Sequence, residues 1–132
     1  MYEASINRAR RTISFRASGT PTLDELKKMY EEAQWAHDSF KGEPHLVLAD
    51  MRGMAHLSPE GTKVFGDIIR YGRQHGCICC VHLSDSSIAR LQQSRLAREA
   101  SPYDDITVNV VSIEEAERVI QEKQATVRVK AS

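Results

Sequence analysis

The chain has 132 residues, of which 41% are hydrophobic and 27% are charged, as is typical of one globular domain. Its 18 basic and 18 acidic side chains give a formal net charge of zero, which argues against nucleic acid or an acidic membrane surface as a partner. The longest apolar stretch, residues 77–83, is far shorter than the roughly 20 residues that span a membrane. We therefore expect a single cytoplasmic domain over residues 1–132, without a signal peptide.

Three cysteines lie within one short segment, Cys77-Ile-Cys79-Cys80, whose composition predicts a buried strand. An odd number of cysteines within four residues is not a disulfide framework. Reduced cysteine packs as a small apolar side chain, which fits a reducing cytoplasm. No histidine or cysteine pair with zinc-ligand spacing is matched by a second pair, so we expect neither a metal nor a cofactor.

The first half of the chain predicts a β-hairpin followed by a helix. Apolar residues alternate along both strands, and a polar connection over residues 7–11 joins them. Thr22 and Glu25 form a capping box that begins the helix, which we expect to end near Lys41 and Gly42. The predicted buried face of this helix recurs at helical spacing and consists of Leu23, Leu26, Met29, Tyr30, Ala33, Ala36 and Phe40.

The second half alternates strands and helices. We predict strands over 45–50, 77–83 and 106–111, and helices that begin at Ser58, at residues 84–87 and at Ser112. The helix after residue 84 should end at Pro102, and the tail 125–132 should be a short strand or frayed. The order ββαβαβαβα is that of an α/β protein with a mixed, mostly parallel sheet and four helices.

The loop after the central strand is the strongest candidate site, because it leaves the carboxyl end of that strand and enters a helix. Ligands of open α/β sheets bind at such ends, and a helix N-terminus favours an anion. We expect several of its apolar side chains to be exposed, as at protein interfaces. The candidate binding residues are Asp50, Met51, Arg52, Gly53, Met54, His56, Leu57, Ser58, Glu60 and Gly61.

The segments 46–53 (LVLADMRG) and 57–61 (LSPEG) resemble the central signature of STAS domains, the anti-sigma factor antagonist family. In that family a strand ends in Asp, a Gly follows three residues later, and the next helix starts with Asp-Ser-Ser/Thr-Gly. The predicted order of strands and helices also matches the family over nearly the whole chain. The resemblance implies a STAS-like domain in bacterial signalling, with a protein partner and no catalytic activity.

The resemblance also shows where this chain departs from the family pattern. Aligned on the tetrad, Ser58 takes the Asp position, Pro59 the phosphoacceptor position and Glu60 that of the second hydroxyl residue, while Gly61 is retained. Proline has no hydroxyl, so the serine phosphoswitch of the family cannot operate there. Ser58 is the remaining candidate for phosphorylation, and Glu60 supplies a fixed negative charge that suggests a constitutive state.

Three functions remain open at this stage. The leading hypothesis is a non-catalytic regulatory module that presents the Asp50–Gly61 loop and the following helix to a protein partner. The sequence is also compatible with a homodimer. The alternative is a carrier or sensor of a small apolar or anionic ligand, held where the helices part. An α/β enzyme ranks last. Its best local pair is His56 acting as base toward Ser58, and a separation of two residues in a loop does not define a hydrogen-bond geometry. We expect His82 in the core, and His37, His45 and His75 at the surface or at element ends.

Overall fold

The computed structural model describes residues 2–54, 58–85 and 106–131. At its start, strands β1 (Tyr2–Asn7) and β2 (Thr12–Ala17) form the predicted antiparallel hairpin. The turn is closed by the Arg11 N–H, which donates to the Arg8 carbonyl at 3.2 Å. Tyr2 lies opposite Ala17 and Ile6 opposite Ile13, so the alternating apolar residues share one face as expected.

The hairpin is one edge of a five-stranded sheet with the order β1-β2-β3-β4-β5. The remaining strands are β3 (His45–Asp50), β4 (Cys77–Leu83) and β5 (Thr107–Val110). Every pair after the first is parallel, which confirms the mixed, mostly parallel sheet. The carboxyl ends of β2, β3 and β4 therefore lie side by side along one edge of the sheet.

The described residues form the helices α1 (Leu23–Asp38), α2 (Pro59–Gln74) and α3 (Ile113–Ala131). The capping box of Thr22 with Glu25 is present, and the Ser112 hydroxyl accepts from the Glu115 N–H at 3.2 Å. The helix predicted between residue 84 and Pro102 falls almost entirely outside the described residues. The prediction for the tail was wrong, because α3 continues through Ala131 and does not give way to a strand or frayed chain. Val127 extends the buried stripe of Ala116 and Ile120 and is 1% exposed, so packing holds the tail helical.

Each face of the sheet is covered by different helices. Residues of α1 and α2, such as Ala36 and Phe65, pack on one face, and Ala116 and Ile120 of α3 pack on the other. Where β4 pairs with β3, the register skips Ile78, since His45 lies opposite Cys77 and Leu46 opposite Cys79. This irregularity turns Cys79 to the α3 face, while Cys77 and Cys80 face α1 and α2. All three cysteines are buried and none forms a disulfide, as the sequence predicted.

Candidate functional site

The loop begins with an ion pair between Asp50, the last residue of β3, and Arg52. The Arg52 Nε lies 2.9 Å from Asp50 Oδ1 and its Nη2 lies 2.8 Å from Oδ2, so the contact is bidentate. The Arg52 N–H also donates to Asp50 Oδ1 at 3.2 Å. The hydrogen bonds from Arg52 are the main cause that lowers the pKa of Asp50. The carboxylate is thus ionised at neutral pH, and it holds the exposed guanidinium of Arg52 at the end of β3.

Backbone hydrogen bonds fix the next residues of the loop to its neighbours in the sheet. The Met51 N–H donates to the Leu83 carbonyl at 2.8 Å, and the Gly53 carbonyl accepts from the Gly19 N–H at 2.9 Å. Gly53 has a φ of 79°, a conformation that glycine adopts without steric cost. The first half of the loop is therefore tied both to the end of β4 and to the segment that follows β2.

Asp85 is a residue of this site that the sequence analysis missed, because it was assigned only to a helix cap. Its Oδ2 accepts from the Gly53 N–H at 2.5 Å, so it links the chain after β4 to the loop after β3. Its position could have predicted this role. Asp85 follows β4, which is parallel and adjacent to β3, so the carboxylates of Asp50 and Asp85 lie at the same edge of the sheet. Asp50 and Asp85 together set the conformation of residues 51–53.

The exposure expected of the apolar loop residues is wrong where the structure describes them. Met51 is only 3% exposed and packs in the core beneath α1 and α2. Met54 is partly buried against the same core and against a smaller cluster around Leu26. His56 and Leu57 lie outside the described residues, so the His56–Ser58 pair stays a prediction. The described surface of the loop is instead polar, with Arg52 and Gly53 exposed.

The second half of the site is the start of α2. The Ser58 hydroxyl accepts from the Gly61 N–H at 3.1 Å, which makes Ser58 the N-cap, and Pro59 occupies the first turn as predicted. Ser58, Pro59 and Glu60 are exposed, whereas Gly61 is buried. The structure thus places the hydroxyl, the proline and the acidic side chain together on one exposed helix start.

His37 and His45 lie at element ends as expected, in the last turn of α1 and at the start of β3, but both are buried and neither reaches the surface. His37 is 2% exposed and His45 is 0% exposed, and their rings meet at 2.7 Å between Nδ1 and Nε2. Burial is the main cause that lowers the pKa of His45 and brings the pKa of His37 to about 3. The burial was not predicted from the sequence, because it depends on each imidazole providing a hydrogen-bond partner for the other, which allows two polar rings to lie in a core.

Among the described residues, the remaining histidine and cysteine side chains do not join the loop into a metal site. His82 is buried as predicted, and its Nε2 lies 3.0 Å from the Cys80 thiol. No group of three or more metal-binding side chains occurs among residues 2–54, 58–85 and 106–131. Within the same ranges, no helix is long and apolar enough to cross a membrane.

Comparisons with known proteins bear on the fold. No family model and no curated protein matches the chain. It is similar to the Bacillus cell fate determinant SpoIIAA in its phosphorylated form, with a TM-score of 0.60 and 14% identity over 90% of this chain and 99% of that one. It is also similar to the anti-sigma factor antagonist SpoIIAA in its unphosphorylated form, with a TM-score of 0.59 and 14% identity over 90% of this chain and 96% of that one. The chain therefore has a STAS-like fold, as the sequence resemblance implied.

Proposed function

We propose that this chain is a non-catalytic regulatory module that binds a protein partner through the Asp50–Gly61 loop and the start of α2. The observation that carries this proposal is the fixed conformation of residues 51–53 of the loop, which bond to Leu83, Gly19 and Asp85. A surface that is already ordered loses little conformational entropy when a partner binds. The STAS-like fold, shared with a protein described as an anti-sigma factor antagonist, supports a regulatory role.

The chemistry of this surface suits a polar protein interface. Arg52 is held in one orientation by Asp50, and its side chain is 43% exposed. Arginine is enriched at interfaces because its planar guanidinium binds carboxylates and stacks on aromatic rings. Glu60 offers the opposite charge from the first turn of α2. The partner should therefore present an acidic or aromatic group to Arg52 and a hydrogen-bond donor to Glu60.

We propose further that recognition is constitutive and not switched by phosphorylation. Pro59 has no hydroxyl, and the Ser58 hydroxyl is engaged as a helix cap. Glu60 already places a negative charge beside the helix N-terminus, where a carboxylate is stabilised. Intact-mass measurement of the protein purified from its source organism should show no phosphorylated species. A phosphate located on Ser58 would overturn the constitutive state but not the binding surface.

The small-ligand alternative has weaker support. An apolar cavity between the sheet and the helices α1 and α2 measures about 50 Å³ and is lined by Met29, Val47 and Phe65 among others. A second pocket, over β1, β2 and β3, measures about 450 Å³ but is half open to solvent, and its lining includes Arg16 and Asp50. Small-molecule sites usually measure about 300–1,000 Å³ and bury most of the ligand, for which the first is too small and the second too open. Native mass spectrometry of freshly purified protein should give the mass of the protein alone, whereas a co-purifying small molecule would favour the carrier.

Site-specific photo-crosslinking in the source organism tests the interaction surface. A photoreactive amino acid at Glu60 should capture a defined protein, and the same amino acid at exposed Glu122 on α3 should not. In the protein with the photoreactive amino acid at position 60, the further substitution Arg52→Glu should lower the crosslinking yield by about tenfold. It reverses the charge that we expect to contact the partner. Equal capture at both positions, or a yield unaffected by Arg52→Glu, would contradict the proposal.

A further inference from the structure

A small polar pocket lies between the turn of the hairpin and the second half of α3. It measures about 80 Å³ and is partly open to solvent, and its lining consists of Ala9, Arg10, Arg11, Gln124, Val127 and Arg128. Three arginines from two elements that are distant in the sequence therefore meet at one pocket, and none of the described residues that line it is acidic. The turn precedes β2, which starts beside the start of β3, so the pocket lies at the opposite end of these strands from the Asp50–Gly61 loop.

Internal contacts fix the backbone on both sides of this pocket. The Gln124 Nε2 donates to the Arg10 carbonyl at 3.4 Å, which connects α3 to the turn. The Arg11 carbonyl accepts from the Leu46 N–H at 2.8 Å, which connects the turn to β3. Val127 is 1% exposed and packs in the core, so it anchors this part of α3 to the sheet. The pocket is therefore formed by the fold itself and does not depend on a ligand to assemble it.

Two of the three arginines are ion-paired with glutamates that do not line the pocket. The Arg10 Nη2 lies 2.8 Å from Glu117, and the Arg11 Nη1 lies 3.1 Å from Glu43. Each ion pair uses one nitrogen of a guanidinium group that has three, so each arginine keeps N–H groups that can donate to a ligand. The two glutamates thus orient the arginines without occupying the pocket.

Arg128 adds a positive charge that the described part of the chain does not compensate. Its side chain is exposed and forms no ion pair within residues 2–54, 58–85 and 106–131. Its neighbours three or four positions away in α3, which are Gln124, Ala125 and Ala131, are uncharged. A basic residue near the end of a helix also favours the helix dipole, but this effect does not require it to meet the arginines of the turn. The three arginines and their two paired glutamates leave one net positive charge around the pocket.

We propose that this pocket binds one phosphate group, either as the free ion or as the phosphate monoester of a small molecule. Planar guanidinium groups donate paired N–H groups to phosphate oxygens, and a tetrahedral anion has an oxygen for each of three arginines. A carboxylate has two oxygens in one plane and a single charge, so it would leave one arginine without a partner. A pocket of about 80 Å³ has room for several water molecules, and hence for one phosphate group, which is far smaller than the ligand that a carrier would enclose.

Nuclear magnetic resonance of the isotope-labelled protein tests this directly, because each arginine gives its own side-chain Nε–H signal. At about pH 7.5, where a phosphate group carries nearly two negative charges, inorganic phosphate should shift the signals of Arg10, Arg11 and Arg128 in a saturable way. Acetate should bind at least about tenfold more weakly. Glycerol phosphate distinguishes the two sources, since tighter binding than that of inorganic phosphate assigns the pocket to a monoester and weaker binding assigns it to the free ion. Equal shifts with sodium chloride at the same ionic strength, or tighter binding of acetate, would overturn the proposal.

Substitutions of exposed charges give changes of opposite sign in the same titration. Arg128→Gln should weaken phosphate binding by about fivefold or more. The matched control Arg118→Gln removes the same charge from an exposed position of α3 that does not line the pocket, and should change binding by less than about twofold. Glu43→Gln should strengthen binding by about twofold, because it removes the carboxylate that competes for Arg11. Equal effects of Arg128→Gln and Arg118→Gln, or weaker binding by Glu43→Gln, would rule the proposal out.

Discussion

The imidazole of His37 on α1 fills the space that a side chain at position 72 of α2 would need. A Cβ built on Gly72 would lie 2.7 Å from both Cε1 and Nε2 of His37, far closer than a carbon contact allows. The ring cannot easily move away, because its Nδ1 is hydrogen-bonded to His45 at 2.7 Å. Gly72 therefore sets how closely α1 and α2 approach, and the approach buries the histidine pair.

We expect Gly72→Ala to lower the free energy of unfolding by about 1–3 kcal/mol, since the added methyl group overpacks a close helix contact. In a His37→Ala background the clash is absent, and alanine is the better helix former. There the same substitution should be neutral or should stabilise by up to about 1 kcal/mol. Urea unfolding of the four proteins measures this coupling. An equal cost of Gly72→Ala in both backgrounds would show that His37 is not the obstacle.

The histidine pair should also make stability depend on pH. The His45 Nδ1 lies 2.8 Å from the Glu43 carbonyl, an acceptor only, so Nδ1 carries the proton and Nε2 accepts from His37. A second proton on His45 would set two donors against each other inside the core. Both rings are therefore neutral when folded, and unfolding lets them take up protons below the ordinary pKa of 6.5.

Because the unfolded state binds more protons, the free energy of unfolding should fall as the pH drops below 6.5, and continue to fall toward the His37 pKa of about 3. Between about pH 7.5 and pH 5 the expected loss from His37 alone is about 2 kcal/mol, and His45 adds to it. Asp50 contributes only at lower pH, because its lowered pKa lies below 3.8. His37→Asn should flatten the dependence in this window, measured by urea unfolding. Equal wild-type stability at both pH values would contradict the assignment.

Asp85→Ala tests the contact that fixes the loop. Without the carboxylate, the Gly53 N–H loses its acceptor, and we expect a loss of about 1 kcal/mol in the free energy of unfolding. Hydrogen exchange should accelerate at the Gly53 amide, and at the Gly19 amide that donates to the Gly53 carbonyl. The Gly61 amide, bonded to Ser58, is the internal control and should exchange as before. Unchanged exchange at Gly53 would show that the loop is held by other contacts.

Local sequence signals predicted the starts of the helices well. The Thr22 and Ser58 caps depend on side chains and N–H groups three residues apart, so the sequence carries the whole motif. The burial of the Met51 side chain was not predicted, although the alternation of residues along β3 indicates it. Val47, Ala49 and Met51 all join the core beneath α1 and α2, because the alternation of β3 continues one step past its last residue.

Contacts between distant parts of the chain were not predictable in the same way. Asp85 and Gly53 are 32 positions apart, and their contact follows only once β3 and β4 are known to be adjacent and parallel. The burial of His37 and His45 depends on two polar rings finding each other, which no hydropathy pattern records. The fold was therefore accessible from the sequence, whereas the side chains that shape the site and the core required the structure.

The role of Ser58 as a helix cap can be separated from any role in signalling. Ser58→Ala removes the acceptor of the Gly61 N–H and should lower the free energy of unfolding by about 0.5–2 kcal/mol. Ser58→Asp should retain nearly the full stability, because aspartate caps helices as well as serine and its charge favours the N-terminus of α2. Thermal and urea unfolding compare the three proteins, with Thr22→Ala as the matched loss of a cap on α1. If Ser58→Asp were as unstable as Ser58→Ala, the hydroxyl would be acting through something other than the cap, and the fixed state proposed for this loop would have to be reconsidered.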